Sequence, residues 1–343
     1  MSSQVNRRDI LALAGTLGVS ACVTGKGSME APGAGLLVDP GREPDEVISL
    51  WPAGPPGGED LQLREEIHER TNTYGLRDRA ATSITEPTVS VFRPANPDGS
   101  ACLLIPGGGY ARVVIDKEGY EGARYFNRHG MTCYVLKYRL PGDGWMAGPD
   151  TPLQDAQRAM RLIRSRTGED GINPDNIMVM GFSAGGHVAG SLCQRFDTAV
   201  YQPQDRIDDL PARPDLGVLV YPVTLMVAPF GHEGSRTRLL GEAPQDQLLA
   251  KYDLTTAPNP AGPDLFLLHT LNDASVPVEN TFEMAMACHR VGVPAVVHAY
   301  EEGEHGFGMR GIDHLPVGKW PMLVLDWMRR KYAGRHVADH IRG

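Results

Sequence analysis

From about residue 88 onward, short apolar runs alternate with longer segments of mixed polarity. TVSVFRP (88–94), ACLLIPG (101–107) and MTCYVLKYRL (131–140) are brief and bounded by Pro or Gly, which predicts strands. NIMVMGF (176–182), LGVLVYPV (216–223), DLFLLHT (264–270) and AVVHAYEE (295–302) predict four more. Their near-continuous apolar character is what strands show when helices cover both faces of a sheet. Between them, YEGARYFNRHG (120–130) predicts a helix closed by Gly130. TPLQDAQRAMRLIRSRTG (151–168) predicts another, because Leu153, Ala156, Met160 and Ile163 recur at helical steps on one face. NTFEMAMACHRVG (280–292) and KWPMLVLDWMRRKYAG (319–334) predict later helices.

Strands alternating with helices argue for an α/β fold with a mostly parallel sheet. In such sheets ligands bind beyond the carboxyl ends of the strands, so the chemistry is sought just after each apolar run. GFSAGGH (181–187) stands at such a place. A tight turn from strand to helix leaves little room for side chains, and Gly181 and Gly185 relieve the crowding while Ser183 is pushed outward. This is the G-x-S-x-G nucleophile elbow. The helix beginning at Ala184 points its N-terminus at the same spot, which favours developing negative charge.

A serine hydroxyl needs a base to take its proton and a third group to orient the base. The expected chain order is serine, acid, histidine. The loop after DLFLLHT offers Asp273, and the loop after AVVHAYEE offers His305. Asp264 stands at the wrong end of its strand, and Glu279 suits a helix start. His187 shares a helix with the serine, His269 and His298 fall within strands, and His314 is the remaining rival to His305. Oxyanion donors are expected from backbone N–H groups after the nucleophile and after an earlier strand. Those are Ala184, with Gly108 and Gly109 of IPGGGY. The glycines do not fit a dinucleotide or phosphate-loop spacing, so no organic cofactor and no metal is expected.

Composition narrows the field. A net charge of −9 argues against a nucleic-acid partner. The five cysteines include no C-x-x-C pair, so neither a zinc site nor a disulfide framework is indicated. Cys102 and Cys133 fall in strands, and they read as buried thiols, or as a bridge if those strands are neighbours. The first 22 residues read separately. Arg7 and Arg8 precede an apolar run from Ile10 to Val19, too short to span a bilayer. NRRDIL resembles a twin-arginine export signal and VSAC a lipoprotein cleavage box with Cys22 as the lipidation candidate. The expectation is an exported protein, periplasmic or held at a membrane only through that lipid. Residues 23–44, rich in Gly, Ala and Pro, read as a flexible tether.

Together these motifs resemble the α/β-hydrolase superfamily over roughly residues 45–335. PGGGY, GFSAGGH, NDASVP and GEHGF are similar to esterases related to acetylxylan esterases and to the hormone-sensitive-lipase group, and SLWPAGPPGGE is similar to the start of bacterial acetylxylan-esterase-like proteins. The resemblance implies an eight-stranded-type sheet with helices on both faces and a serine esterase that removes small acyl groups, often acetyl from plant polysaccharide fragments. One departure is Pro106, where the lipase-like group usually has histidine. About 40 residues separate LGVLVYPV from DLFLLHT, room for one or two short helices and for little or no cap domain. A peptidase or amidase of the same fold, and a non-catalytic binding lipoprotein, are the alternatives, and the oligomeric state is left open.

Overall fold

All seven strands expected from the apolar runs form, and they join one eight-stranded sheet. The computed structural model describes residues 41–342, with side chains through residue 334. The export segment, Cys22 and nearly all of the 23–44 tether lie outside the described residues.

In chain order the strands are β1 (Glu46–Ser49), β2 (Glu66–Glu69), β3 (Arg79–Thr82), β4 (Thr88–Phe92), β5 (Ala101–Ile105), β6 (Val113–Val114), β7 (Thr132–Lys137), β8 (Ile177–Phe182), β9 (Leu216–Val220), β10 (Asp264–Thr270) and β11 (Ala295–Tyr300). The helices are α1 (Glu121–Arg128), α2 (Thr151–Ser165), α3 (Ala184–Arg195), α4 (Glu233–Leu240), α5 (Asp246–Tyr252), α6 (Glu279–Val291) and α7 (Trp320–Arg342). The large sheet runs β1-β4-β7-β5-β8-β9-β10-β11. β4 is antiparallel to both its neighbours, and from β7 to β11 every pairing is parallel. This is the α/β-hydrolase fold. β5, β8 and β9 are buried at every residue, as strands covered on both faces must be.

Three features depart from the sequence expectation. The sheet begins earlier than residue 88, because β1 pairs with β4 as an antiparallel edge strand. A second sheet of order β2-β3-β6 forms, with β2 exposed along its whole length. β11, read as an apolar strand covered on both faces, is half-exposed because it closes the other edge of the large sheet.

The span between β9 and β10 carries α4 and α5 as its only α-helices, and among the described residues it forms no cap domain. Cys102 and Cys133 are register partners on β5 and β7, and both are buried free thiols. Burial raises the pKa of each, which keeps them protonated. No helix among the described residues is long and apolar enough to cross a membrane.

Candidate active site

The turn from β8 into α3 holds Ser183 at φ 54° and ψ −120°, a conformation that a non-glycine residue seldom adopts. Its backbone is fixed from both sides: Ser183 N–H donates to Val220 O at 3.0 Å, and Val223 N–H donates to Ser183 O at 3.0 Å. The flanking glycines are demanded by contact. A Cβ at position 181 would stand 2.2 Å from Gly185 O, and one at position 185 would stand 2.2 Å from Ile105 O. The elbow therefore packs α3 directly on the strands that carry it.

The loops after β10 and β11 bring Asp273 and His305 to the serine. Ser183 Oγ lies 2.9 Å from His305 Nε2, and His305 Nδ1 lies 2.6 Å from Asp273 Oδ2. A carboxylate only accepts, so Nδ1 carries the hydrogen and Nε2 is left to accept the Ser183 hydroxyl. Asp273 is buried and receives three further hydrogen bonds. Ser275 and Val276 N–H donate to Oδ1, each at 2.9 Å, and His269 Nε2–H donates to Oδ2 at 3.2 Å. Burial works to raise the Asp273 pKa, and the bonds from His269 and His305 overcome it, holding the carboxyl well below the usual range. The three side chains thus have the geometry and charge for nucleophilic acyl transfer.

The glycine loop after β5 borders the same cavity, which has a volume of about 350 Å³. Gly107 N–H is engaged with Glu118 Oε2 at 2.9 Å. The N–H groups of Gly108, Gly109 and Ala184 donate to no protein group among the described residues. Gly108 and Gly109 line the cavity beside Ser183, and Ala184 is the first residue of α3.

None of the rival histidines hydrogen-bonds Ser183, whose hydroxyl meets His305 alone among the described histidines. His187 is buried between Tyr110 OH at 2.6 Å and Tyr252 O at 2.7 Å. His298 stacks on Phe266, and His314 lines a neighbouring cavity that does not include Ser183. His269 does more than the sequence suggests. Its Nε2–H is shared between Asp273 and Val276 O at 2.9 Å, and its Nδ1 accepts from Thr281 Oγ1 at 2.8 Å.

Three residues of this site escape the sequence reading. Glu118 is buried, and its second oxygen accepts from Tyr221 OH at 3.0 Å. Tyr221 stands edge-on to His305, with ring centroids 5.1 Å apart. His232, in the loop after β9, lines the cavity and caps α4 by accepting from Ser235 N–H. No motif announces any of them; Tyr221 and His232 follow β9, which was the signal available, and Glu118 had none. Among the described residues, no group of three or more His, Cys, Asp or Glu side chains is placed to hold a metal ion.

The sequence matches the BD-FAE family over residues 90–287, a span that includes Ser183 and Asp273 and ends before His305. It is 36% identical over 293 residues to endo-1,4-beta-xylanase B of Butyrivibrio fibrisolvens, covering 82% of this chain and 45% of that protein. It is 31% identical over 222 residues to an acetylxylan esterase of Xylanibacter ruminicola, covering 63% of this chain and 43% of that protein. The chain therefore spans less than half the length of these two relatives. A crystal structure of an acetyl ester-xyloside bifunctional hydrolase from Caldicellulosiruptor lactoaceticus superposes with a TM-score of 0.68 at 32% identity, covering 84% of this chain and 97% of that one.

Proposed function

The chain belongs to the BD-FAE family, and from that premise we propose that it is a serine carboxylesterase that removes short acyl groups, acetyl above all, from xylan or xylo-oligosaccharides. The observation that carries this reading is the continuous relay from Ser183 Oγ through His305 to Asp273, at 2.9 and 2.6 Å, beside unengaged N–H groups of the glycine loop. The substrate class is supported by the relatives, one of them named as an acetylxylan esterase.

In the first step Ser183 Oγ attacks the ester carbonyl carbon while His305 Nε2 takes its proton. Asp273 holds the His305 tautomer and stabilises the imidazolium. The N–H groups of Gly108, Gly109 and Ala184 receive the oxyanion. His305 then returns the proton to the departing sugar oxygen, which leaves as the free hydroxyl. In the second step water gives a proton to His305 and attacks the acyl carbon, the bond to Ser183 Oγ breaks as His305 returns that proton to it, and acetate leaves. The open carboxyl end of the sheet suits a bulky alcohol with a small acyl group. In the same reading, residues 1–22 direct export and Cys22 carries a lipid, on the strength of NRRDIL and VSAC. The partner is an oligosaccharide ester rather than nucleic acid.

The test is acetate release from acetylated xylo-oligosaccharides by the protein lacking residues 1–22, beside Ser183→Ala and a nitrophenyl-ester chain-length series. Release that vanishes in Ser183→Ala, with rates falling steeply from acetyl to octanoyl, is the expected result. Full activity in Ser183→Ala, or equal turnover of long chains, would overturn it. Cleavage of peptide or amide substrates alone would move the chain to the amidase reading.

A further inference from the structure

Arg70, Arg112 and Lys117 all open into the cavity that holds Ser183. The chain as a whole carries a net charge of −9, so a cavity bordered by three basic side chains runs against its composition. Arg112 is exposed and forms no hydrogen bond or ion pair among the described residues. Lys117 is half-buried, and its ammonium likewise has no bonded partner among them. It flanks Gly306 opposite Glu118: a Cβ on Gly306 would lie 3.8 Å from Lys117 Nζ and 3.7 Å from Glu118 Oε1. The two charges approach the same spot without pairing. Arg70 spends one nitrogen on the buried Asp78, at 3.0 Å, and its Nε and Nη1 have no protein partner among the described residues.

The negative groups nearby answer these cations only in part: Asp78 pairs with Arg70, and Glu118 approaches Lys117 without pairing with it. Among the described residues Glu118 is the one carboxylate lining the cavity, and its two oxygens accept from Gly107 N–H and Tyr221 OH. Asp78 is shared with Arg310, at 3.2 Å. Glu302 and Glu304 line a neighbouring cavity of about 440 Å³ that Lys117 also borders, and neither pairs with it among the described residues. A concave site with unanswered cations attracts and holds an anion, and a guanidinium fork matches a carboxylate. Burial lowers the Lys117 pKa while Glu118 works to raise it, and an arriving carboxylate would raise it further.

We propose that this cavity selects esters that also carry a carboxylate, received by Arg112 and Lys117 with Arg70 beside them. The proposal rests on the esterase reading and deepens it. The carboxylate has two sources. It belongs to a uronic acid on the sugar that leaves, or to the far end of a diacid acyl group. Either places one negative charge near the ester without touching the reacting atoms.

The experiment compares two substrate pairs by kcat/KM: acetylated xylo-oligosaccharides with and without a glucuronic acid branch, and monoethyl succinate beside ethyl butyrate. The expected result is about a tenfold preference for the acidic member of one pair, the worth of one charged hydrogen bond. That preference shrinks with rising salt. It also shrinks in Arg112→Gln and in Lys117→Gln, whose folding is checked by circular dichroism. Preference in the first pair assigns the carboxylate to the sugar, and preference in the second assigns it to the acyl group. Equal rates within both pairs, or a preference that survives both substitutions, would overturn the proposal while Ser183-dependent hydrolysis of nitrophenyl acetate keeps the esterase reading. A folded protein that hydrolyses no ester at all brings down the esterase reading, and this proposal with it.

Discussion

Tyr221 donates its phenolic hydrogen to Glu118 Oε1 at 3.0 Å, and through that bond one buried carboxylate joins the two sides of the site. On one side Glu118 Oε2 accepts Gly107 N–H and fixes the glycine loop after β5. On the other, Tyr221 OH accepts Gly308 N–H at 3.1 Å, and its ring packs against His305. Tyr221 holds this place at φ 37°, a strained conformation for a residue with a side chain. Glu118 is thus a positioning residue for the proposed oxyanion donors and for the histidine loop.

Glu118→Gln keeps the shape but replaces one acceptor oxygen by an amide donor, so either Gly107 N–H or Tyr221 O–H faces a donor in place of an acceptor. Donors to an oxyanion act mainly in the transition state, so kcat should fall about tenfold to a hundredfold with KM little changed. Steady-state kinetics on nitrophenyl acetate, with a thermal melt as folding control, checks this. A raised KM at constant kcat would instead make Glu118 a substrate-binding group.

Asp273 and His269 separate two levels of support for His305. Asp273→Asn exchanges the acceptor at 2.6 Å for a group that can present a donor, and the imidazole loses its tautomer. A loss in kcat on the order of 10⁴ is expected. His269→Leu leaves the His305–Asp273 bond in place and removes the 3.2 Å bond to Asp273, the tie to Val276 O and the acceptor of the Thr281 hydroxyl, so a loss of about tenfold is expected. Measuring both variants at saturating substrate tests the ranking, and equal losses would show that His269 is as close to the chemistry as Asp273.

The parts of the site that could be read from the chain are those that obey strand-end logic. Ser183, Asp273, His305 and the glycines all follow apolar runs of strand length, in a known order, and the folded chain brings the three side chains together. Glu118 follows no such rule. A buried carboxylate and a solvated one look alike in sequence, and only the approach of Gly107 and Tyr221 tells them apart. Tyr221 reads as the end of an apolar strand, which it also is. His269 was legible as a satisfied strand histidine, but its partner Asp273 is visible only once the loop after β10 folds back. β1 and β2 are four residues each, at the edge or in the open, where no apolar run is required. β11 shows the converse: an apolar run at a sheet edge imitates a central strand.

Arg139 and Asp155 form an ion pair with both side chains 0% exposed, at 2.7 Å. Asp155 also accepts from the Arg139 backbone N–H and from Trp51 Nε1, each at 2.8 Å. One carboxylate thereby fastens the segment after β1 to α2. Removing one partner of a buried pair leaves an uncompensated charge, so Asp155→Ala should cost about 3–5 kcal/mol. The double change Arg139→Met with Asp155→Leu should cost less, because no buried charge remains. Urea unfolding of the three proteins checks the order, and a double variant less stable than Asp155→Ala would contradict it.

His187 makes stability fall on the acid side. Tyr252 O can only accept, so His187 Nε2 carries the hydrogen and Nδ1 accepts from Tyr110 OH. Protonating Nδ1 would reverse that second bond and leave the Tyr110 hydroxyl hydrogen without its acceptor inside the core. Burial is the main cause, and it lowers the His187 pKa from 6.5 to about 4. Between those values the unfolded chain binds a proton that the native state refuses. Stability is therefore full above pH 6.5, falls as the pH drops toward 4, and loses about 3 kcal/mol from this group. Burial also lowers His232 and His298, so they add to the same slope. Asp273, whose pKa is lowered, supplies stability that is full above its unfolded value of 3.8 and is lost only as the pH falls below that value. His187→Gln, which keeps a donor and an acceptor and cannot titrate, should be less steep between pH 6.5 and 4 without becoming flat. Urea unfolding across that window, in the wild type and in His187→Gln, decides the matter: an unchanged slope would place the acid sensitivity in another group.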